Sequence, residues 1–213
     1  MTELELERAA EIIRAGGLVG FPTETVYGLG ANALDEVAVG RIFETKGRPA
    51  TSPLIVHVAS VGMARSLARE WPDAAEKLAA RFWPGPLTLI VLKTGLIPDR
   101  VTAGRDTVGL RLPDHPVARR LIELAGVPVA GPSANPFTFL SPTTAGHVRR
   151  SLPGVDLVLE GGPSRVGIES TVLDVPRAPA VLPRLGMITR EAIEAVIGPV
   201  EVLAAGPAAG EAH

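Results

Sequence analysis

Apolar and polar residues along this chain of 213 residues fall into short blocks with two different periods. Leu6, Ala9, Ala10, Ile12 and Ile13 recur at helical spacing behind a Thr2-to-Glu5 capping box, and Gly16-Gly17 stops them. The spacing predicts an amphipathic helix over residues 3–15. A second helix is predicted after Asp35, with Val37, Ala38, Ile42 and Phe43 inward, ending at Lys46-Gly47-Arg48-Pro49. Helical patterns recur at 60–69, 73–82 and 116–125. Ser141-Pro142-Thr143 reads as another helix start with Ser141 as cap, and Thr189 caps a last helix to Ile197. Short apolar runs at 18–21, 54–58, 87–92, 107–112, 127–130, 155–160, 171–175, 180–183 and 200–203 read as strands. Strands and helices interleave without a regular βαβ alternation. The expected class is therefore α/β: a single domain with a twisted, mixed parallel and antiparallel sheet and flanking helices. No linker or repeat divides residues 1–203, and the Ala/Gly-rich residues 204–213 are expected to be a flexible tail.

One stretch departs from these patterns. After the apolar run ending at Phe21 comes Pro22-Thr23-Glu24-Thr25-Val26-Tyr27-Gly28-Leu29-Gly30-Ala31-Asn32-Ala33. Proline cannot continue the ladder, so the strand should end there and a polar loop begin. The hydroxyls of Thr23, Thr25 and Tyr27 and the Glu24 carboxylate then face one cleft, or else belong to a solvated turn.

Composition narrows the chemistry. There is no cysteine, which excludes disulfides, thiolate catalysis and cysteine-ligated metals. The four histidines, His57, His115, His147 and His213, show no metal-ligand spacing. A net charge of −2 leaves no global basic field for nucleic acid. The acidic N-terminus is unlike a signal peptide and no apolar run suffices for a membrane span, so no membrane association and a cytoplasmic location are expected. Neither a Gly-x-x-x-x-Gly-Lys-Ser/Thr loop nor a Gly-x-Gly-x-x-Gly fingerprint is present, so a nucleotide site must be built another way.

Polar residues at strand and helix ends supply candidates. Lys46 and Arg48 flank a glycine; in extended backbone both would aim at one target, and a polyphosphate suits two cations. Helix-end cations also serve the dipole alone. Ser133 and Asn135 follow a strand at its carboxyl end, where ligands sit in open α/β sheets, although a simple turn uses the same residues. Arg111 is the one cation in the apolar run 108–112 and needs an anionic partner, from the protein or a ligand. His57 stands in an apolar strand, where a core histidine is the ordinary reading. Gly167-Ile168-Glu169-Ser170-Thr171 and Arg184 add polar groups, and Trp83-Pro84-Gly85-Pro86-Leu87 reads as a rigid turn and core anchor.

Together these segments resemble the L-threonylcarbamoyladenylate synthase family, the YrdC-like domain. The matching stretches run from Phe21-Pro-Thr-Glu-Thr-Val-Tyr-Gly-Leu-Gly30 through Lys46-Gly-Arg-Pro49, Pro53-Leu-Ile-Val-His57, Trp83-Pro-Gly-Pro-Leu-Thr88, Thr102-Ala-Gly104, Asp106-Thr-Val108 and Arg111. They continue with Pro132-Ser-Ala-Asn135, Ser141-Pro-Thr143 and Gly167-Ile-Glu-Ser-Thr171, in the family order. The resemblance implies a nucleotidyltransferase that joins L-threonine, bicarbonate (or carbon dioxide) and ATP into threonylcarbamoyl-AMP and pyrophosphate, for modification of tRNA adenosine 37. It implies a Mg²⁺-dependent ATP site, no protein-held metal and no prosthetic group, a concave cleft, downstream tRNA threonylcarbamoyl-transferase proteins, and tRNA or double-stranded RNA contact. Carried over by position, the threonine pocket falls on Thr23, His57, Arg111, Ala130 and Ser170. ATP binding falls on Lys46, Arg48, Ser52, Thr107, Ser133, Asn135, Ser141 and Arg184. Lys46, Arg48, Ser133 and Asn135 are assigned the catalysis.

Three departures mark this chain: Pro136-Phe137-Thr138-Phe139-Leu140 replaces a polar Ser-Gly-containing loop, Ser52 stands for asparagine, and Leu185 for proline. Longer members carry a Tyr-containing linker and a second domain, so the expected form here is short and single-domain. Two other readings use the same residues. One is a non-catalytic double-stranded-RNA or ribosome-binding module. The other is a carbamoyl-transfer domain of the kind found inside larger maturation proteins.

Overall fold

The computed structural model of the chain describes residues 2–203. The residues expected to form a tail, 204–213, lie outside them. In chain order the elements are α1 (Glu3–Arg14), β1 (Val19–Phe21), β2 (Gly28–Asn32), α2 (Glu36–Lys46), β3 (Ile55–His57), α3 (Val61–Leu67), α4 (Asp73–Phe82), β4 (Leu87–Leu92) and α5 (Asp99–Thr102). They continue with β5 (Thr107–Arg111), α6 (Pro116–Ala125), β6 (Val129–Ala130), α7 (Ala145–Ser151), β7 (Leu157–Val158), β8 (Thr171–Asp174), β9 (Val181–Arg184), α8 (Arg190–Ile197) and β10 (Glu201–Val202).

The strands form one ten-stranded sheet in the order β10-β9-β8-β4-β5-β3-β6-β2-β1-β7. Four of its pairings are parallel: β1 with β7, β3 with β5, β4 with β8 and β9 with β10. The remaining five are antiparallel, which makes the sheet mixed, as the irregular alternation implied.

Local chemistry accounts for most boundaries. The Thr2–Glu5 capping box opens α1: Thr2 N–H donates to Glu5 Oε2 at 2.6 Å and Glu5 N–H to Thr2 Oγ1 at 3.3 Å. Asp35 Oδ1 accepts from Val37 and Ala38 N–H at the start of α2. Gly47, at φ 61°, closes α2 in the left-handed region that glycine tolerates.

Three expectations are corrected. Residues Gly28–Asn32 are a strand, not part of a loop: β2 turns back antiparallel on β1 and is buried between β1 and β6. Its glycines hid it, but they allow the close approach of Phe21, whose ring atoms would lie 2.8 Å from a Cβ at position 28. Helix α7 begins three residues later than expected, capped by Thr144 rather than Ser141. A short turn of helix, α5, was not anticipated in the polar segment 99–102.

The period of two in the strands sorts side chains between the two faces. Val56, Leu87, Leu89, Val91, Val108, Leu110 and Leu173 are buried in the larger core, with residues of α2, α3, α4 and α8. Val19, Phe21 and Val129 join α1 and α6 in a second core. Trp83 anchors the turn before β4, its Nε1–H donating to Leu87 O at 2.7 Å.

Candidate functional site

The intervening residues of the central strands point the other way and line a cavity of about 270 Å³. Ile55 and His57 come from β3, Thr88 and Ile90 from β4, Thr107, Gly109 and Arg111 from β5, Val172 from β8, and Pro183 and Arg184 from β9. The wall is completed by Thr23 and Thr25, by Arg48, by Gly131-Pro132-Ser133, and by Glu169-Ser170. The cavity is therefore one concave face of the sheet, closed by the segments that follow β1, α2 and β6.

His57 and Arg111 sit side by side, paired in register on adjacent parallel strands. Both are buried. Burial, and then the Arg111 charge, push the His57 imidazole down to about 3, so it is neutral at physiological pH. Arg111 Nη2–H donates to Thr25 Oγ1 at 2.9 Å and lies 2.7 Å from Glu24 Oε1. The Thr25 and Thr23 hydroxyls are 2.8 Å apart, and Thr23 Oγ1 reaches Val26 O at 2.5 Å. Since Thr25 Oγ1 accepts from Arg111 and Thr23 donates to Val26 O, the chain has one direction: Thr25 donates to Thr23. Thr23 also accepts from the N–H groups of Thr25 and Val26. Its hydroxyl is consumed by its own turn, and Thr23 meets the cavity as a wall residue.

A second polar group lies at the β8–β9 side. Arg184 forms an ion pair with Glu169, donates from Nε to Ser170 O at 2.9 Å, and from Nη2 to Ser170 Oγ at 3.0 Å. Ser170 Oγ is also 2.8 Å from Thr88 Oγ1, and Ser141 Oγ donates to Glu169 Oε1 at 3.3 Å. Arg48 donates from Nη2 to Pro53 O at 3.1 Å and lies over the Phe137 ring, 5.7 Å from its centroid.

Eight of the sequence-proposed site residues thus line one cavity: Thr23, Arg48, His57, Thr107, Arg111, Ser133, Ser170 and Arg184. The others surround it. The buried Lys46 ammonium donates to the carbonyls of Ser133 and Asn135, behind the wall. Burial, and then the Arg48 charge, lower its pKa to about 8. The extended-backbone argument for Lys46 and Arg48 fails because Gly47 is left-handed; Arg48 lines the cavity and Lys46 does not. Asn135 likewise does not share a target with Ser133: its Nδ2 donates to Pro136 O at 2.9 Å and Phe139 O at 2.7 Å, holding the loop 136–140. Ala130 is paired within the sheet to Ala31 and Val56, one residue short of the lining. Ser52 offers its carbonyl to Arg48 Nε at 3.4 Å, and Ser141 joins the site through Glu169. Tyr27 points away, its hydroxyl donating to Gly162 O at 2.8 Å.

Sequence reasoning left Thr25, Thr88, Glu169 and Arg105, which also lines the cavity, out of the assigned site. Thr88 carried a readable signal, a lone hydroxyl in an otherwise apolar strand. Thr25 and Glu169 acquire their importance from partners 86 and 15 residues away, which no spacing rule reveals.

An α/β domain with cations and hydroxyls gathered on a concave sheet face is the architecture of a binding site for an anionic substrate. The chain belongs to the Sua5/YciO/YrdC family, described as telomere recombination, which matches residues 11–186. It is 53% identical over 201 residues to the threonylcarbamoyl-AMP synthase of Pyrococcus abyssi, covering 94% of this chain and 59% of that protein. It is 50% identical to the Bacillus subtilis protein of the same name, covering 93% of this chain and 58% of the relative. The chain therefore spans about three fifths of the length of these relatives. A crystal structure of P. abyssi Sua5 complexed with L-threonine superposes with a TM-score of 0.93 at 52% identity, over 95% of this chain and 60% of that one. Escherichia coli YciO matches with a TM-score of 0.77 at 26% identity, over 87% and 91% of the two chains.

Proposed function

We propose that the chain is a threonylcarbamoyl-AMP synthase, a nucleotidyltransferase acting on L-threonine, bicarbonate or carbon dioxide, and ATP. The observation that carries this reading is the pairing of two sub-sites in one cavity: buried Arg111 beside neutral His57, and Arg48 with Arg184. The relatives' name and the L-threonine held by the P. abyssi structure support it.

The first sub-site suits an amino acid. Arg111 is the cation for its carboxylate, and Ser170 with Thr88 offers hydroxyls to its polar groups. His57 adds no charge to repel an ammonium. The amine nitrogen, once deprotonated, bonds to the carbon of carbon dioxide; starting from bicarbonate, a water is lost. The resulting carbamate oxygen attacks the α-phosphorus of ATP, the bond to the β-phosphate bridge breaks, and pyrophosphate leaves. Both reactants are anions, so the barrier is largely repulsion, which fixed cations and donors lower. Arg48 and Arg184 are assigned to the phosphates at the cavity wall, with Thr107, Ser133 and Ser141 as hydroxyl donors and Ser52 bordering them. Lys46 supplies charge through the backbone of Ser133–Asn135 and is kept, with Asn135, as a catalytic assignment.

Mg²⁺ is proposed to enter with ATP. Among the described residues no three metal-binding side chains cluster, and the one carboxylate on the cavity wall, Glu169, is already paired with Arg184. That donor set suits an ion held mainly by phosphate oxygens, whose shell Glu169 and Ser141 would be able to complete. The product would pass to separate proteins that modify tRNA adenosine 37. Among the described residues no helix is long and apolar enough to cross a membrane, and a cytoplasmic location is proposed.

The test is pyrophosphate release by the purified chain. Release should require ATP, L-threonine and bicarbonate together, and Lys46→Ala should abolish it with the circular dichroism spectrum unchanged. Release indifferent to threonine would sink the synthase reading.

A further inference from the structure

The cavity holds Arg111 against a carboxylate that the proposed chemistry does not use. Glu24 is 2% exposed and its Oε1 lies 2.7 Å from Arg111 Nη2. No protein donor is aligned on either Glu24 oxygen. Glu24 is absent from the cavity wall, whereas Thr23, Thr25 and Val26 of the same turn line it. Arg111 therefore has a ligand side, facing the cavity, and a protein side, facing Glu24. Its orientation does not depend on Glu24 alone, since the same Nη2 donates to Thr25 Oγ1 at 2.9 Å.

We infer that Glu24 is a positioning residue acting through Arg111: a resident counterion that keeps the buried guanidinium stable before a ligand binds and weakens its grip on an incoming carboxylate. The inference rests on the synthase reading, which makes that carboxylate an amino acid's. Two negative charges then share one cation. A buried cation left without a partner is costly, so Glu24 stabilises the fold. A second carboxylate bound to Arg111 is repelled by the first across a poorly screened space, so affinity is held down and release is eased. The two effects have opposite signs, which separates this role from a purely structural or purely orienting one.

Glu24→Gln retains the shape and an acceptor oxygen while removing the charge. Two probes are titrated calorimetrically into the chain: L-threonine, and threoninol, which lacks the carboxylate. The variant should melt about 5–10 °C lower yet bind L-threonine about tenfold more tightly, with threoninol affinity within twofold of the parent's. Unchanged or weaker threonine binding, or an equal change for both probes, overturns the inference while leaving the synthase reading in place. A parent chain that does not bind L-threonine overturns both. If the variant does not fold, Glu24→Asp, which withdraws the carboxylate by one methylene, is read in its place with the same sign for threonine.

Discussion

The guanidinium of Arg48 lies over the ring of Phe137, 5.7 Å from its centroid, and so ties the end of α2 to the loop 136–140. The loop is fixed at further points: Phe137 N–H donates to Lys46 O at 2.7 Å and Asn135 Nδ2 holds Phe139 O. A half-exposed cation–π contact is worth about 0.5–1 kcal/mol. Phe137→Ala should therefore raise the KM for ATP by about two- to fivefold, with the KM for threonine unchanged. Steady-state pyrophosphate release with each substrate varied in turn checks this.

Thr138 in the same loop has φ 71°, a left-handed conformation that a β-branched residue rarely adopts. The conformation costs a non-glycine residue about 1–2 kcal/mol, and the extra unfolded-state freedom of glycine offsets part of that. Thr138→Gly should raise the melting temperature by about 1–3 °C. A fall in calorimetric Tm would show that the Thr138 side chain contributes contacts of its own.

On the proposed activity, Lys46 should set an alkaline limit. Its pKa is lowered to about 8 by burial and by Arg48. The ammonium is charged below that pH and neutral above it, so pyrophosphate release should fall as pH rises through about 8. Lys46→Arg, which keeps its proton, should remove that limb from the pH profile even where it lowers the rate.

His57 acts on stability rather than on rate near neutrality. Its imidazole is at about 3 in the fold, below the ordinary value of 6.5, so protonation favours the unfolded chain. The stability it contributes is complete above pH 6.5 and is lost as pH falls towards 3. Urea midpoints at pH 7 and 4.5 should drop less for His57→Gln than for the parent. An equal drop would show that His57 is not protonated on unfolding.

The elements were legible where a local rule governs them. Caps at Thr2, Asp35 and Thr189, and the stop at Gly47, act over four or five residues, and α1, α2 and α8 follow. Strand β2 was hidden because burial by Phe21 and Val129, not its own residues, makes its glycines a strand. Ser141 resembled a cap but is drawn to Glu169, a residue 28 positions on. At the site, the sequence singled out Arg111 and His57, polar groups in apolar strands. Their lateral pairing follows from β3 and β5 lying parallel in register.

The sequence by itself determined which residue types were available for chemistry, the mixed α/β class, and the family, because periodicity, caps and motifs are properties of neighbours along the chain. Tertiary structure alone decided which side chains meet. It put Glu24 behind Arg111, turned Lys46 onto two backbone carbonyls, and spent the Thr23 hydroxyl on its own turn. The physical reason is that a buried polar group must find its partner within about 3 Å, and only the folded chain fixes which group that is.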